Sequence, residues 1–579
     1  MACGSFIENR PVWQRALIGF FVLLIIVLIP IVLTYPLHPV PSPGGATAPV
    51  HVKILAVNDF HGQLPAGQKL NGRPAGSAPV LAAYLRAAMN KSTTDATFIA
   101  LPGDVVGASP PESGLMLDEP TLLFFNEFAN TCCGKNSTCS ASCNMVATLG
   151  NHEFDKGPTE LMRKINGGNG TTAITHLVDP YPGEMAGYVS ANVVWQENGT
   201  PLLAPYIIRN AGGTKIAFIG ADTTKTPSVT MPGNIAGVTF LNESESINRY
   251  IPEIQREGVH AIVVLLHEGG NEDAYDGPTR AGGNVTGSVT GIVARLDPDV
   301  DVVLSAHTHE FTNAYLNNSG NKPVLVTQAY SYSRAFADID LTIDPATDEI
   351  TQKSAQIIPA YADQSPGTTP DPAAAALLNA AEAAVAPLTG RVIAVAGTDI
   401  TRNQTAAGES ALGDIVADGL RTAMHADVAF VTTGSVRADI RQGNITWGDL
   451  YAVQPFAGTV CVMNLTGGQV RDVLEQQWQS PLPPHNLAVS GFTYSYGERK
   501  PAGSRVVDVR VNGIPLDTAT TYRAAMVDYL STGGDGYTVF TKGTGVVSGP
   551  SDIDALVSYI GSLPQPVNGT TDGRITRLA

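Results

Sequence analysis

The chain's 579 residues exceed what one ordinary core holds, so two large domains are expected. Its 35 basic and 52 acidic residues leave a formal charge of −17, which argues against a nucleic-acid polymer as partner. Only 15% of residues are charged and apolar runs recur throughout, so the abundant Gly and Pro mark ordered turns rather than disorder.

The first informative element is "ALIGFFVLLIIVLIPIVLTY", Ala16 to Tyr35. Its length suits one bilayer crossing. Arg10 and Arg15 precede it, and no Lys or Arg follows until Lys53. This asymmetry predicts a transmembrane signal-anchor at 16–35, with residues 1–15 in the cytoplasm and the rest outside. A cleaved signal peptide ending near Ala46–Ala48 is the alternative; both export the remainder. Residues 36–51, rich in Pro and Gly, read as a stalk. Asn-x-Ser/Thr sequons recur, among them Asn136, Asn169, Asn198, Asn284, Asn403 and Asn568. They carry glycans only in a eukaryotic secretory route. The run "CCGKNSTCSASC" holds Cys132, Cys133, Cys139 and Cys143, read as two local disulfides, with a zinc knuckle as the alternative. Cys461 reads as a buried strand thiol. The chain ends in "GRITRLA" without an apolar tail, so no lipid anchor is expected there.

Over residues 52–360 the runs "VKILAV", "TFIAL", "NMVATLG", "TKIAFIG", "HAIVVLL" and "VDVVLSA" alternate with helical or loop segments, which predicts an α/β domain. Residues 361–389 read as a linker carrying an Ala-rich helix, roughly Asp371 to Val385, capped by Asp371. A second α/β domain is expected over 390–579.

Five of the strand-like runs end in metal-ligand or proton-transfer side chains. "ILAVNDFHG" runs into Asp59 and His61, "TFIALPGD" into Asp104, and "NMVATLGNHEFD" into Asn151 and His152. "AIVVLLHEGG" runs into His267, and "VDVVLSAHTHE" into His307 and His309. In α/β sheets the carboxyl edge is where sites form. The chain has 11 His, and five stand in these slots. Carboxylate, amide and imidazole together suit borderline divalent cations, and the set is too large for one tetrahedral shell. Two cations bridged by one carboxylate use all of it, and such a pair serves in-line attack on phosphorus.

"NDFHG", "GD", "GNHEFD", the lone His and "HTH", in this order, resemble the calcineurin-like metallophosphoesterases. With the C-terminal half included, the chain resembles the secreted 5′-nucleotidase family from about Val52 to Leu578. The resemblance implies a four-layer α/β/β/α metallophosphatase domain followed by a C-terminal α/β nucleotide-binding domain. It implies two divalent cations, Zn or Mn. Asp59, His61 and His309 would hold the first, Asn151, His267 and His307 the second, and Asp104 both. His152 would stabilise the transferring phosphoryl group or protonate the leaving oxygen, oriented by Asp155. Glu153 and Glu268 are expected behind the ligands or solvated. The base would stack between Phe456 and Tyr529, Asp535 would contact the ribose, and Arg437 would bind substrate.

Two departures leave the substrate open. Thr432 stands where relatives carry an Asn, and Gly408 where some carry an Arg; Arg402, Asn403 or Arg441 are candidate substitutes. Domain rotation about residues 367–388 is implied by resemblance alone. The implied activity is release of phosphate from nucleoside 5′-monophosphates. The alternatives are a 2′,3′-cyclic nucleotide phosphodiesterase, a nucleotide-sugar or polyphosphate hydrolase, and a non-catalytic nucleotide-binding surface glycoprotein.

Overall fold

The computed structural model describes residues 48–135, 137–281, 284–478 and 486–578. The expected cytoplasmic segment, signal-anchor and most of the stalk lie outside the described residues. Among the described residues no helix is long and apolar enough to cross a membrane.

A six-stranded sheet has the order Glu349–Pro359, Ala335–Asp344, Val50–Ala56, Ala96–Leu101, Met145–Thr148, Gly187–Val189. Its last four strands run parallel. A seven-stranded sheet is ordered Arg280–Ala281, Phe311–Asn317, Pro323–Ala329, Val302–Ser305, Ile262–His267, Thr214–Asp222, Tyr206–Ala211. There Val302–Ser305, Ile262–His267 and Thr214–Asp222 run parallel. Parallel strands buried on both faces read as unbroken apolar runs. Successive side chains then serve different cores. Ile54, Val263 and Leu304 fill the space between the sheets, whereas Leu55 faces one outer helical layer and Val264 and Val303 the other. The first layer includes Ala78–Lys91, Glu119–Asn126 and Gly157–Asn166; the second includes Glu243–Arg256 and Ser288–Val293. The layering is α/β/β/α, as expected.

The Ala-rich helix spans Pro372–Thr389, and Asp371 caps it by accepting from the Ala373 and Ala374 amides. Asp371 Oδ2 also accepts from Arg86 Nε at 2.7 Å, and Ala381 and Val385 pack on Met116. The linker is therefore docked along its length on the N-terminal region.

The C-terminal region is built on a five-stranded sheet, Leu487–Ser490, Val428–Thr432, Thr521–Val527, Thr459–Thr466, Thr544–Ser551. Helices Ala411–Ala423 and Asp552–Ser562 cover one face. Helix Gly467–Glu475 and a small sheet containing Phe492–Gly497 and Val506–Val511 cover the other.

The cysteine reading needs correction. One bridge joins Cys133 to Cys143, while Cys132 is an exposed free thiol, so two local disulfides do not form. Among the described side chains, the local turn brings Cys133 to Cys143 and leaves Cys132 at the surface. Cys461 is a buried strand thiol, as expected, and burial pushes its pKa up.

Candidate active site

The parallel strands of each sheet end at one edge, and the loops leaving those ends converge. Asp59, His61, Asp104, His307 and His309 all take left-handed backbone conformations, with φ of 48°, 49°, 48°, 76° and 61°. Such conformations cost about 1–3 kcal/mol each and persist where surrounding bonds over-determine them. Here the His61 amide donates to the Asp104 carbonyl at 3.0 Å, and the His307 amide donates to both Asp59 carboxylate oxygens at 3.0 Å. Gly150 is required for close approach: a Cβ there would stand 2.3 Å from Asp104 Oδ1 and 2.7 Å from His267 Cε1.

The ligand-type atoms cluster as expected. Asp59, His61 and His309 form one group, and Asp104, His267 and His307 another, each with donor atoms within 4.8 Å of one another. Asp104 lies between them, its Oδ2 at 3.7 Å from His61 Nε2 and 3.1 Å from His267 Nε2. His61 Nδ1 lies 3.0 Å from the Gly107 carbonyl and His267 Nδ1 3.0 Å from the Pro102 carbonyl. A carbonyl can only accept, so both rings carry the proton on Nδ1 and turn Nε2 inward.

Each inward atom faces another ligand-type group. His61 Nε2 and His309 Nε2 face each other at 3.0 Å. His267 Nε2, despite its distance to Asp104, makes no aligned hydrogen bond, and the buried Asn151 Oδ1 makes none. Burial holds His61 and His309 well below the ordinary imidazole range and takes His307 down to about 4, so these rings are neutral. Burial also pushes Asp59 up to about 7. Burial opposes charge on Asp104, but His267 and His152 outweigh it and hold the carboxyl well below its usual range. Burial likewise opposes charge on His267, but Asp104 outweighs it and holds the ring well above the ordinary imidazole range, so a cation there would displace its Nε2 proton. Neutral imidazoles at His61, His307 and His309, an amide oxygen and buried carboxylates fit divalent cations.

His152 stands beside this cluster. Its amide donates to Asp104 Oδ1 at 2.9 Å, and its Nδ1 lies 2.8 Å from Asp155 Oδ2. Burial lowers its pKa, but Asp155 and Asp104 more than offset this and raise it. The cluster opens into a cavity of about 670 Å³ whose lining includes Asp104, His152, Arg437, Phe456, Tyr529 and Asp535. Phe456 stacks on His152 at 5.9 Å and 21°. Tyr529 Oη donates to Asp535 Oδ1 at 2.7 Å and lies 2.9 Å from the Ser228 carbonyl. Arg437 Nε and Nη2 are buried without partners, which leaves donors for an anion.

The calcineurin-like phosphoesterase model matches residues 52–311, and the 5′-nucleotidase C-terminal domain model matches residues 385–542. The chain belongs to the 5′-nucleotidase family. This member of the family is 32% identical to an endonuclease of Bacillus subtilis (strain 168), over 91% of this chain and 41% of that protein. It is 32% identical to a cell wall protein of Listeria monocytogenes serovar 1/2a, over 88% of this chain and 67% of that one. It thus spans about two-fifths of the Bacillus relative's length and two-thirds of the Listeria relative's. Among solved structures, the 5′-nucleotidase precursor from Thermus thermophilus matches with a TM-score of 0.71 at 27% identity, covering 91% of this chain and 99% of that one. The chain thus carries a calcineurin-like phosphoesterase domain followed by a 5′-nucleotidase C-terminal domain.

Within this 5′-nucleotidase framework, several open readings are resolved. Glu153 and Glu268 are both buried, the first of the two expected alternatives. Glu153 accepts from the Asp104, Val105 and Gly150 amides at 2.9, 3.0 and 2.6 Å, and so fixes two ligand loops at once. Glu268 accepts from Thr223 Oγ1 at 2.8 Å and pairs with Lys225 at 2.9 Å. The substitutes for the missing Arg do not enter the cleft. Arg402 binds Asp439 at 3.2 Å and, with Asn403, lines a separate pocket of about 380 Å³; Arg441 pairs with Asp399 at 3.3 Å. Thr432 does line the cleft. Asn58 was not anticipated: its Nδ2 donates to Asp59 Oδ2 at 2.7 Å. Its place in "NDFHG", directly before a ligand, was the available signal.

Proposed function

We propose that this protein is an exported phosphohydrolase that releases phosphate from nucleoside 5′-monophosphates, with two divalent cations, Mn or Zn, as cofactor. The observation that carries the reading is the convergence of two adjacent donor sets at the cleft, Asp59, His61 and His309 in one and Asp104, His267 and His307 in the other. His61 carries its proton on Nδ1, so its Nε2 offers a lone pair that either the His309 Nε2–H or a bound cation would take. Asp59, His61 and His309 would hold the first cation, and Asn151, His267 and His307 the second, with Asp104 available to both. When bound, the pair supplies Lewis-acid activation of water and neutralises phosphoryl charge.

The chain's own groups do the rest. Asp155 holds the His152 Nδ1 proton and leaves Nε2 for the substrate. A protonated His152 stabilises the developing phosphoryl charge and passes a proton to the leaving ribose oxygen. Arg437 offers its unpartnered donors to phosphate oxygens. Phe456 and Tyr529 offer faces to the base, and Asp535 offers its second carboxylate oxygen to ribose hydroxyls.

Export is supported by the apolar segment Ala16 to Tyr35 and by likeness to a cell wall protein. The domain boundaries 52–360, 361–389 and 390–579 are proposed with it. The test is phosphate release by the purified full chain from AMP, 2′,3′-cyclic AMP and UDP-glucose. Release from AMP should dominate, vanish with chelator and return with Mn or Zn. Preference for the cyclic or sugar-linked substrate replaces the monophosphate reading. No release from any nucleotide leaves the non-catalytic binding reading.

A further inference from the structure

A loop beside the metal cluster carries an aromatic ring that no reading above employs. It is "YSYSR", Tyr330 to Arg334, leaving strand Pro323–Ala329. Three of its residues take left-handed backbone, with φ of 55° at Tyr330, 57° at Tyr332 and 59° at Ser333. A bulky aromatic residue rarely adopts this conformation, and when it does the surroundings must compel it. They do so through the first ligand loop. The Tyr332 amide donates to the Asp59 carbonyl at 2.8 Å, and Asn58 Nδ2 donates to the Tyr330 carbonyl at 2.6 Å. Asn58 Oδ1 accepts from the Ala329 amide at 2.9 Å, and Ser333 Oγ accepts from the Ser77 amide at 2.8 Å. The strained loop and the Asp59–His61 loop are thus one bonded unit.

The strain sets where the Tyr332 ring lies. Its centroid is 5.3 Å from that of His61 and 5.1 Å from that of His309, the latter edge-on at 80°. Those are the two imidazoles whose Nε2 atoms meet. The Arg437 Cζ lies 5.9 Å from the same Tyr332 ring and 6.0 Å from that of Phe456. Arg334 Cζ lies 5.8 Å from Tyr332. The Tyr332 hydroxyl makes no hydrogen bond among the described residues, so the ring is the working part. A π face attracts a guanidinium without consuming its N–H donors, and Arg437 Nε and Nη2 are indeed left unpartnered.

We propose that Tyr332 is a positioning residue: its ring seats the His61 and His309 imidazoles and holds the C-terminal region's Arg437 guanidinium beside them, donors free. The proposal rests on the two-cation hydrolase reading for its catalytic consequence, but not for its effect on cation binding. It joins a group that binds cations to a group that binds anions through one ring.

The experiment compares the wild-type full chain with Y332F, Y332L and R437A. Mn is titrated calorimetrically into chelator-stripped protein, and KM and kcat for AMP are measured at saturating Mn. Y332F should match the wild type. Y332L should bind Mn about tenfold more weakly and raise KM for AMP about tenfold. The Y332L/R437A double variant should have the KM of R437A alone, because Tyr332 acts on substrate through that guanidinium. Y332L with wild-type Mn affinity and KM overturns the proposal. So does Y332F damaged as severely as Y332L, since the hydroxyl would then carry the effect. If Y332L does not fold, Y332M, whose flexible apolar side chain adapts to the gap without a π face, is read identically. A wild type that turns over no nucleotide sinks the functional reading, while the Mn titrations still decide whether Tyr332 seats the imidazoles.

Discussion

Asp155→Asn removes one charge and keeps the shape. In the protein Asp155 Oδ2 lies 2.8 Å from His152 Nδ1, with the two side chains 21% and 13% exposed. Two unit charges about 4 Å apart interact by about 4 kcal/mol at an effective dielectric of 20. Partial exposure and the hydrogen bond that Asn can still accept reduce the loss to about 2–3 kcal/mol. At about 1.36 kcal/mol per tenfold, kcat for AMP should fall about 30- to 150-fold. The His152 ring should stay in place, because its own amide remains tied to Asp104 Oδ1 at 2.9 Å. Cation content should therefore remain at the wild-type level. The carboxylate raises the His152 pKa, so the high-pH loss of activity should move to lower pH in the variant. The assay is steady-state kinetics across pH with AMP and with p-nitrophenyl phosphate, plus metal analysis. A good leaving group needs little protonation, so a smaller loss on p-nitrophenyl phosphate assigns His152 to proton donation. An equal loss assigns it to charge stabilisation. A kcat within about threefold of wild type at unchanged cation content refutes the coupling of Asp155 to His152.

Other outcomes follow from the same geometry. Asp104→Ala removes the carboxylate shared by both clusters, so cation content should fall toward zero; near two per chain contradicts its bridging place. Gly150→Ala puts a methyl group 2.3 Å from Asp104 Oδ1 and should cut kcat at least a hundredfold while the protein stays folded; full activity means the ligand loops yield more easily than their bonding indicates. Burial pushes Glu184 up to about 8, with only neighbouring amides opposing the rise. An acid raised in the fold stabilises it most below the ordinary carboxylate range, and that contribution is lost as pH climbs toward 8. Urea unfolding should show wild-type stability dropping by a few kcal/mol from pH 5 to pH 8.5 beyond any drop in Glu184→Gln. Parallel stability curves for the two proteins would count against a buried neutral Glu184.

The clustering of possible metal donors was readable because each follows an apolar run within a few residues. A buried parallel strand announces itself by composition, and its carboxyl end points at the site edge, so order along the chain already implied convergence. The Asp371 cap was readable for a similar reason: capping is a contact over two or three residues. Elements whose meaning lies in distant partners were not readable. Glu153 sits in "GNHEFD" like a surface acid, and only the packing of Asp104, Val105 and Gly150 around it shows what it holds. Cys132 and Cys133 are equivalent in the sequence, and the turn alone selects Cys133 for the bridge. Arg402 was a fair substitute for an absent Arg until Asp439 was seen to engage it.

By itself the amino-acid order determined the chemistry: which donors exist, how many imidazoles there are, and that five strand ends deliver them. Only the tertiary structure decided which nitrogen of each ring faces inward, which carboxylate stands between the clusters, and that Tyr332 lies against His61, His309 and Arg437. Covalent neighbours set local conformation and composition. Tautomer, charge state and ring placement are set by carbonyls, carboxylates and rings tens or hundreds of residues away, and those distances exist only once the chain is folded.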